Sequence, residues 1–378
     1  MNMTPNNNAT RNHQNKGLPL DELKEFVKLH AVGQGIHRSV VNDILDRINF
    51  SSGNDSGAWA FEWMRNAENS FHDGDKLGTF VRYNLARFPF VDSEPRKKAL
   101  TKCVEIFEDF CQSQELDIQR LKIAVNGLSV PVYGSNLNET GGRPLLVVMG
   151  GIVTIKEQWY GFLTGAWKIR CPVVAIDFPG GGQSPLKYHK DSAEDLRLIL
   201  DGIFKHVKVD KCIAISLSFC GPLFMKLSLS DHRIKGIIAS ASPIYHFFTD
   251  AEWWRKVPMI TRSSMAHCMG ISLEQLAEKK KEMGLPPDEL EKIDIPVTYI
   301  ASLHDEIIPP DEWDLVREKV SNARVIKIND VHGAPNRLRQ YNLELIWSIL
   351  RHTNREMTPI GLLVGTIRFL MSIAARFY

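Results

Sequence analysis

Several common signatures are missing from this sequence of 378 residues, and each absence narrows what the chain can be. It holds only 6 cysteines, with no CxxC pair among them. A disulfide scaffold, a zinc ribbon and a thioredoxin-type motif are therefore all excluded. Charge of one sign is not in excess either: 46 Lys+Arg stand against 44 Asp+Glu, a net of +2, so nucleic acid is not an expected partner. The first residues, MNMTPNNNATRNHQNKG, lack the apolar stretch of a secretory signal. Residues 1–16 contain six Asn and read as a disordered tail, and reduced thiols and a cytoplasmic location are the expectation. No GxGxxG and no P-loop occurs. The run Asp177-Phe-Pro-Gly-Gly-Gly-Gln-Ser184 reads as a shaped turn rather than a phosphate cradle. No spaced set of metal ligands is seen, and no cofactor is implied.

Helical and extended patterns instead divide the chain in order. Residues 17–119 are helical in texture; Leu100, Val104, Phe107 and Cys111 recur at helical spacing behind Ser93 and Pro95. From residue 120 the texture changes. LKIAVNGLSVPVYG alternates around Asn126-Gly127, a hairpin signal. Short apolar runs then alternate with helical ones: PLLVVM, PVVAIDF, KCIAIS, IKGIIAS, IPVTYIAS and ARVIKIN. Apolar runs of this kind, separated by helices, predict an α/β fold with a mainly parallel sheet buried on both faces. The core is expected over 120–242 and 295–353. Residues 243–294 form a helical insertion too long for a simple connection, hence a cap. Residues 354–378 form an apolar helix carrying Arg368 and Arg376, expected to dock or lie at an interface rather than span a membrane.

Three strand ends carry residues suited to nucleophilic catalysis. The run KCIAISLSFCGP is a buried strand turning into a helix, and a sharp strand-to-helix turn needs small residues two before and two after its serine. Ser216 and Cys220 meet that need around Ser218; a register centred on Ser216 leaves the strand too short. Serine requires a base, and the base requires an orienting carboxylate. Asp305 follows IPVTYIAS, and His332 follows ARVIKIN, in the order Ser, Asp, His. His304 and Glu306 are each one residue off. Backbone donors for an oxyanion are expected at Phe219 and at Gly151 or Ile152, in the Gly-Gly turn after PLLVVM.

MGGIVTIKEQW, AIDFPGGGQS, SLSFCG, SLHDEIIP and VHGAPNR together resemble the α/β-hydrolase fold. They resemble most the branch holding fermentation-respiration switch esterases, 2,6-dihydroxypseudooxynicotine hydrolase and the fungal pigment hydrolases that shorten polyketides. The chain departs from that family in having Ser216 and Cys220 where glycine is usual. The resemblance implies Ser218 as nucleophile, Asp305 as orienter and His332 as general base. It also implies an acidic cap residue in carbon–carbon-cleaving members, for which Asp250 and Glu252 lie in the right region.

The expectation is a serine hydrolase acting through an acyl-enzyme on a small, apolar or aromatic molecule of secondary metabolism. A C–C bond in a polyketide-like or aromatic β-dicarbonyl is the leading substrate bond; an ester or thioester, or a non-catalytic binding role, are the alternatives. Tyr245, Phe247, Phe248, Trp253 and Trp254 either line the pocket or fasten the cap to the sheet. A homodimer stays open.

Overall fold

In the computed structural model, residues 18–374 apart from residue 140 are described; the 1–16 tail and the last four residues lie outside them. Five helices come first: α1 (Leu20–Gly33), α2 (Arg38–Arg47), α3 (Trp59–His72), α4 (Lys76–Arg87) and α5 (Glu94–Ser113). The last starts behind Ser93 with Pro95 in its first turn, where a missing N–H leaves no bond unmade. A hairpin follows, β1 (Ile118–Val125) and β2 (Leu128–Ser135), turning at Asn126 and Gly127, both at positive φ. The core then alternates: β3 (Leu145–Met149), α6 (Tyr160–Ile169), β4 (Val173–Ile176), α7 (Ser192–Ile203), β5 (Cys212–Leu217), α8 (Gly221–Ser228) and β6 (Ile234–Ser240).

Between β6 and the next strand lie α9 (His246–Thr249), α10 (Ala251–Lys256), α11 (Met259–Met269), α12 (Leu273–Lys279) and α13 (Pro287–Leu290). The chain closes with β7 (Val297–Ser302), α14 (Asp311–Lys319), β8 (Ala323–Ile328), α15 (Leu338–His352) and α16 (Pro359–Ala374). The strands form one eight-stranded sheet in the order β1-β2-β4-β3-β5-β6-β7-β8. The β1–β2 and β2–β4 pairings are antiparallel and the rest parallel.

Alternation along the strands divides the core into two layers. Leu145, Val147, Met149, Cys212 and Ala214 face one layer with α7, α8 and the helices between β6 and β7. Leu146, Val148, Ile213, Ile215 and Leu217 face the other, where Trp59, Trp63, Phe80 and Phe107 of the first five helices cover the sheet. The N-terminal helices are thus a wall of the core. Each parallel strand ends on the same side of the sheet, so the loops after β3, β5, β7 and β8 converge there.

Candidate active site

Ser218 sits directly after β5 with φ +65°, a left-handed conformation that is strained for a residue with a side chain. The turn projects its side chain out of the sheet end, and Ser218 is only partly buried. Two contacts hold it there. Ser242, fully buried after β6, donates its hydroxyl to the Ser218 carbonyl at 2.7 Å. Gly221 then brings the following helix so close to Ser242 that an added Cβ would stand 2.6 Å from its Cβ.

His332 Nε2 lies 3.2 Å from Ser218 Oγ. Its Nδ1 lies 3.0 and 2.9 Å from the two oxygens of Asp305. The Asp305 side chain is 1% exposed, and its Oδ1 accepts the backbone N–H groups of Ile307 and Ile308 at 2.9 and 2.8 Å. The carboxylate is therefore fixed in place. Burial alone would pull the His332 imidazole down, but the charge and hydrogen bonds of Asp305, with Glu306 beyond, raise its pKa above the usual histidine value. Glu306, one residue from the orienter, acts on the backbone instead, its Oε2 accepting the N–H of His332 at 3.1 Å. His304 turns away to Asn329, 2.7 Å distant.

The Gly150-Gly151 turn meets the serine closely. A Cβ on Gly151 would lie 3.0 Å from Ser218 Oγ and 3.4 Å from the Phe219 nitrogen, so only glycine lets this backbone approach both. Behind the loop, Arg87 of α4 is 2% exposed and donates through Nη2 to the Val153 carbonyl at 2.8 Å. The same guanidinium grips Asn84 Oδ1, and Asn84 donates to Gln34 Oε1 at 2.9 Å. Burial lowers the Arg87 guanidinium to about 10, which leaves it charged at neutral pH. These helical residues carry no motif; only their tertiary contacts reveal them.

Ser216 is completely buried, and its Oγ lies 3.1 Å from Cys220 Sγ, which also reaches the Met149 carbonyl at 3.0 Å. Burial pushes the Cys220 thiol up to about 12, so it stays protonated. The pair fills the space beneath the turn.

Asp250 and Glu252, the expected cap acids, stand at the start of α10. Asp250 caps α10, its Oδ1 accepting the N–H groups of Glu252 and Trp253 at 2.7 and 3.0 Å, and Glu252 is exposed to solvent. Asp250 is thus engaged at a helix N-terminus, and no hydrogen bond or ion pair among the described residues joins either carboxylate to Ser218, Asp305 or His332. The aromatic residues of the same segment also turn inward. Phe247 and Phe248 are fully buried at 5.0 Å from each other, Phe247 packs at 5.2 Å on Phe219, and Trp253 Nε1 donates to the Ile307 carbonyl. They fasten the segment to the sheet.

The open space lies elsewhere. A cavity of about 810 Å³ opens between α1, α2 and the His332 loop, walled by Phe26, Leu29, His30, Val41, Glu306 and His332 among others. It reaches the triad at His332; Ser218 is not part of its wall. His30 is held down to about 4 by burial, by His332 and by Arg87, and is therefore neutral at neutral pH. Sequence reasoning missed His30, because a lone histidine on a helix has no local signal. Among the described residues no group of His, Cys, Asp and Glu is set to hold a metal ion.

No family model matches the chain. A solved structure of AbyA5 superposes with a TM-score of 0.88 at 32% identity, covering 93% of this chain and 99% of that one. The structure of 2,6-dihydroxy-pseudo-oxynicotine hydrolase superposes at 0.65 and 20% identity, covering 83% of this chain and 93% of that one, a likeness of fold. The 2,6-dihydropseudooxynicotine hydrolase of Paenarthrobacter nicotinovorans is 21% identical over 252 residues, 62% of this chain and 66% of that protein. Esterase FrsA of Vibrio parahaemolyticus is 22% identical over 321 residues, 76% of this chain and 74% of the esterase.

Proposed function

The chain belongs to the α/β-hydrolase family, and from that premise we propose that it is a serine hydrolase working through an acyl-enzyme. One observation carries the reading: a serine at φ +65° whose Oγ faces a histidine that is itself doubly held by a buried carboxylate. In the proposed reaction the Ser218 proton passes to His332 Nε2 as Oγ attacks the substrate carbonyl. Asp305 keeps Nδ1 protonated and stabilises the imidazolium that forms. The N–H groups of Phe219 and of Gly151 or Ile152 receive the oxyanion. The tetrahedral adduct then collapses, the bond to the leaving group breaks, and His332 returns the proton to it. Water, deprotonated by His332, finally releases the acid from Ser218. Labelling by a fluorophosphonate tests this, with Ser218→Ala expected to abolish it; labelling that survives in that variant would overturn the reading.

For the bond cleaved, we propose a C–C bond in an aromatic or polyketide-like β-dicarbonyl, whose leaving group is an enolate. The similarity to a protein named 2,6-dihydropseudooxynicotine hydrolase supports a small organic substrate. So does the cavity, apolar along Phe26, Leu29 and Val41, with His30 beside His332. A neutral imidazole N–H can hydrogen-bond an enolate oxygen without quenching it. The ester reading keeps the same triad and dispenses with His30. Product analysis on β-diketones and activated esters side by side distinguishes the two, since ester turnover without any diketone cleavage would leave an esterase.

A further inference from the structure

We propose that the flank of the molecule bearing α16, with a cationic groove at the foot of that helix, docks on an anionic lipid bilayer. Two observations meet here. The first is the orientation of α16. Its buried side is made by small residues: Gly361 lies against the carbonyls of Arg355 and Glu356, and Gly365 against the Trp347 ring, where a Cβ would be only 3.0 Å away. Arg368, on the same side, is tied to Glu344 at 2.7 Å. The side chains of Ile360, Leu362, Leu363, Ile367 and Leu370 therefore point to water, at 41 to 60% exposed. Contiguous exposed apolar surface of this kind marks an interaction site. No described helix is long and apolar enough to cross a membrane, so the helix suits the plane of an interface rather than a span.

The second observation is charge. A groove of about 580 Å³ runs along the N-terminal ends of β3, β5, β6 and β8 and up to the α15–α16 turn. Arg143, Lys211, Lys235, Arg324 and Arg351 line it, with Glu356 as its one carboxylate. Among the described residues none of those five cations is in an ion pair. Burial lowers the Arg324 pKa, and the charges of Arg368 on α16 and of Arg351 lower it further, so the groove adjoins the helix. Downstream of Glu356 the sequence has no acidic residue.

The charge decides between two occupants. A second copy joined through a two-fold axis would set the same patch against itself, and the cations would meet cations. An anionic bilayer instead accepts the apolar side chains at the acyl boundary and the cations at the headgroups. The groove lies at the N-terminal ends of the strands, whereas Ser218, Asp305 and His332 follow their C-terminal ends, so none of these three belongs to the docking surface.

Vesicle co-sedimentation of the full chain tests the proposal, using phosphatidylcholine alone and phosphatidylcholine with phosphatidylglycerol. Binding is expected to the mixed vesicles only, weakening in high salt. Lys235→Glu with Arg351→Glu should weaken it at least tenfold. Leu363→Asp with Leu370→Asp should remove it, while both pairs of substitutions leave melting and hydrolysis in solution unchanged. Equal binding to neutral vesicles would overturn the electrostatic half. Absence of binding, or a concentration-dependent dimer that Leu363→Asp dissolves, would overturn the proposal as a whole and, in the latter case, make a second copy the occupant.

Discussion

The Oγ of Ser216 and the Sγ of Cys220 are 3.1 Å apart directly beneath Ser218, each in the position that glycine occupies in the common form of this turn. The tight turn requires small side chains there, not glycine as such. Two small polar groups satisfy it by bonding to one another and to the Met149 carbonyl. The strained φ of Ser218 is thereby kept with a filled rather than an empty space under it.

Replacing Cys220 by glycine should accordingly leave catalysis measurable but lower stability. The change removes a fully buried thiol and strips the Ser216 hydroxyl of its partner, a loss of roughly 1–3 kcal/mol. Thermal denaturation and ester turnover on the same preparation check both halves. Abolished turnover with an unchanged melting point would assign the thiol to chemistry.

Ser218→Ala should remove activity by several orders of magnitude while Ser216→Ala keeps turnover, because only Ser218 faces His332. Steady-state kinetics of the two variants decide the matter; the reverse pattern would place the nucleophile at Ser216.

The proposed base sets a pH dependence. Hydrolysis needs neutral His332, and Asp305 raises its pKa, so kcat/KM should fall on acidification with a midpoint above the ordinary histidine value of about 6.5. Asp305→Asn should lower kcat on the order of 10⁴-fold and move any residual midpoint downward. Glu306→Gln should do neither, since an amide oxygen can still accept the His332 N–H. Similar losses in the two variants would refute the assignment of Asp305.

Loss of His30 is expected to separate two reactions. His30→Ala should slow β-diketone cleavage on the order of tenfold or more, the scale of one lost hydrogen bond to a developing charge, and leave an activated ester nearly unaffected. Parallel losses in both reactions would mean that His30 shapes the site without meeting an enolate.

Arg87→Met is expected to lower kcat more than it raises KM, because Arg87 holds the Val153 carbonyl in the loop that offers the oxyanion donors. Arg87→Lys can restore one bond but not the fork that also holds Asn84. A change confined to KM would place the effect in binding.

Much of this arrangement was legible along the chain, for a physical reason. A parallel strand buried on both faces must be apolar throughout, so the ends of KCIAIS, IPVTYIAS and ARVIKIN stand out, and Ser218, Asp305 and His332 follow those ends. The Asn126-Gly127 turn was legible because few residue pairs adopt two successive positive φ values. Aromatic residues were not decisive: Phe247 and Phe248 would look the same in a pocket or in a core, and they lie in the core. Asp250 had a local signal for its capping role, an acidic residue immediately before a helix, which its nearness to a cluster of aromatics outweighed. The contributions of His30, Arg87 and Ser242 depend on partners far away in sequence, and no periodicity encodes such partners.

The wall formed by α1–α5 also governs how the protein is made. These helices are translated before the sheet they cover, whose Ile300, Ile326 and Ile328 come far later in the chain. Glu22 bonds the backbone of Ile260, 238 residues further on. The apolar side of α3, with Trp59 and Trp63, thus has no finished sheet to rest on until β8 is made. Covering that side fully requires β8, and a nascent chain stalled before it would expose apolar surface of the kind that chaperones bind.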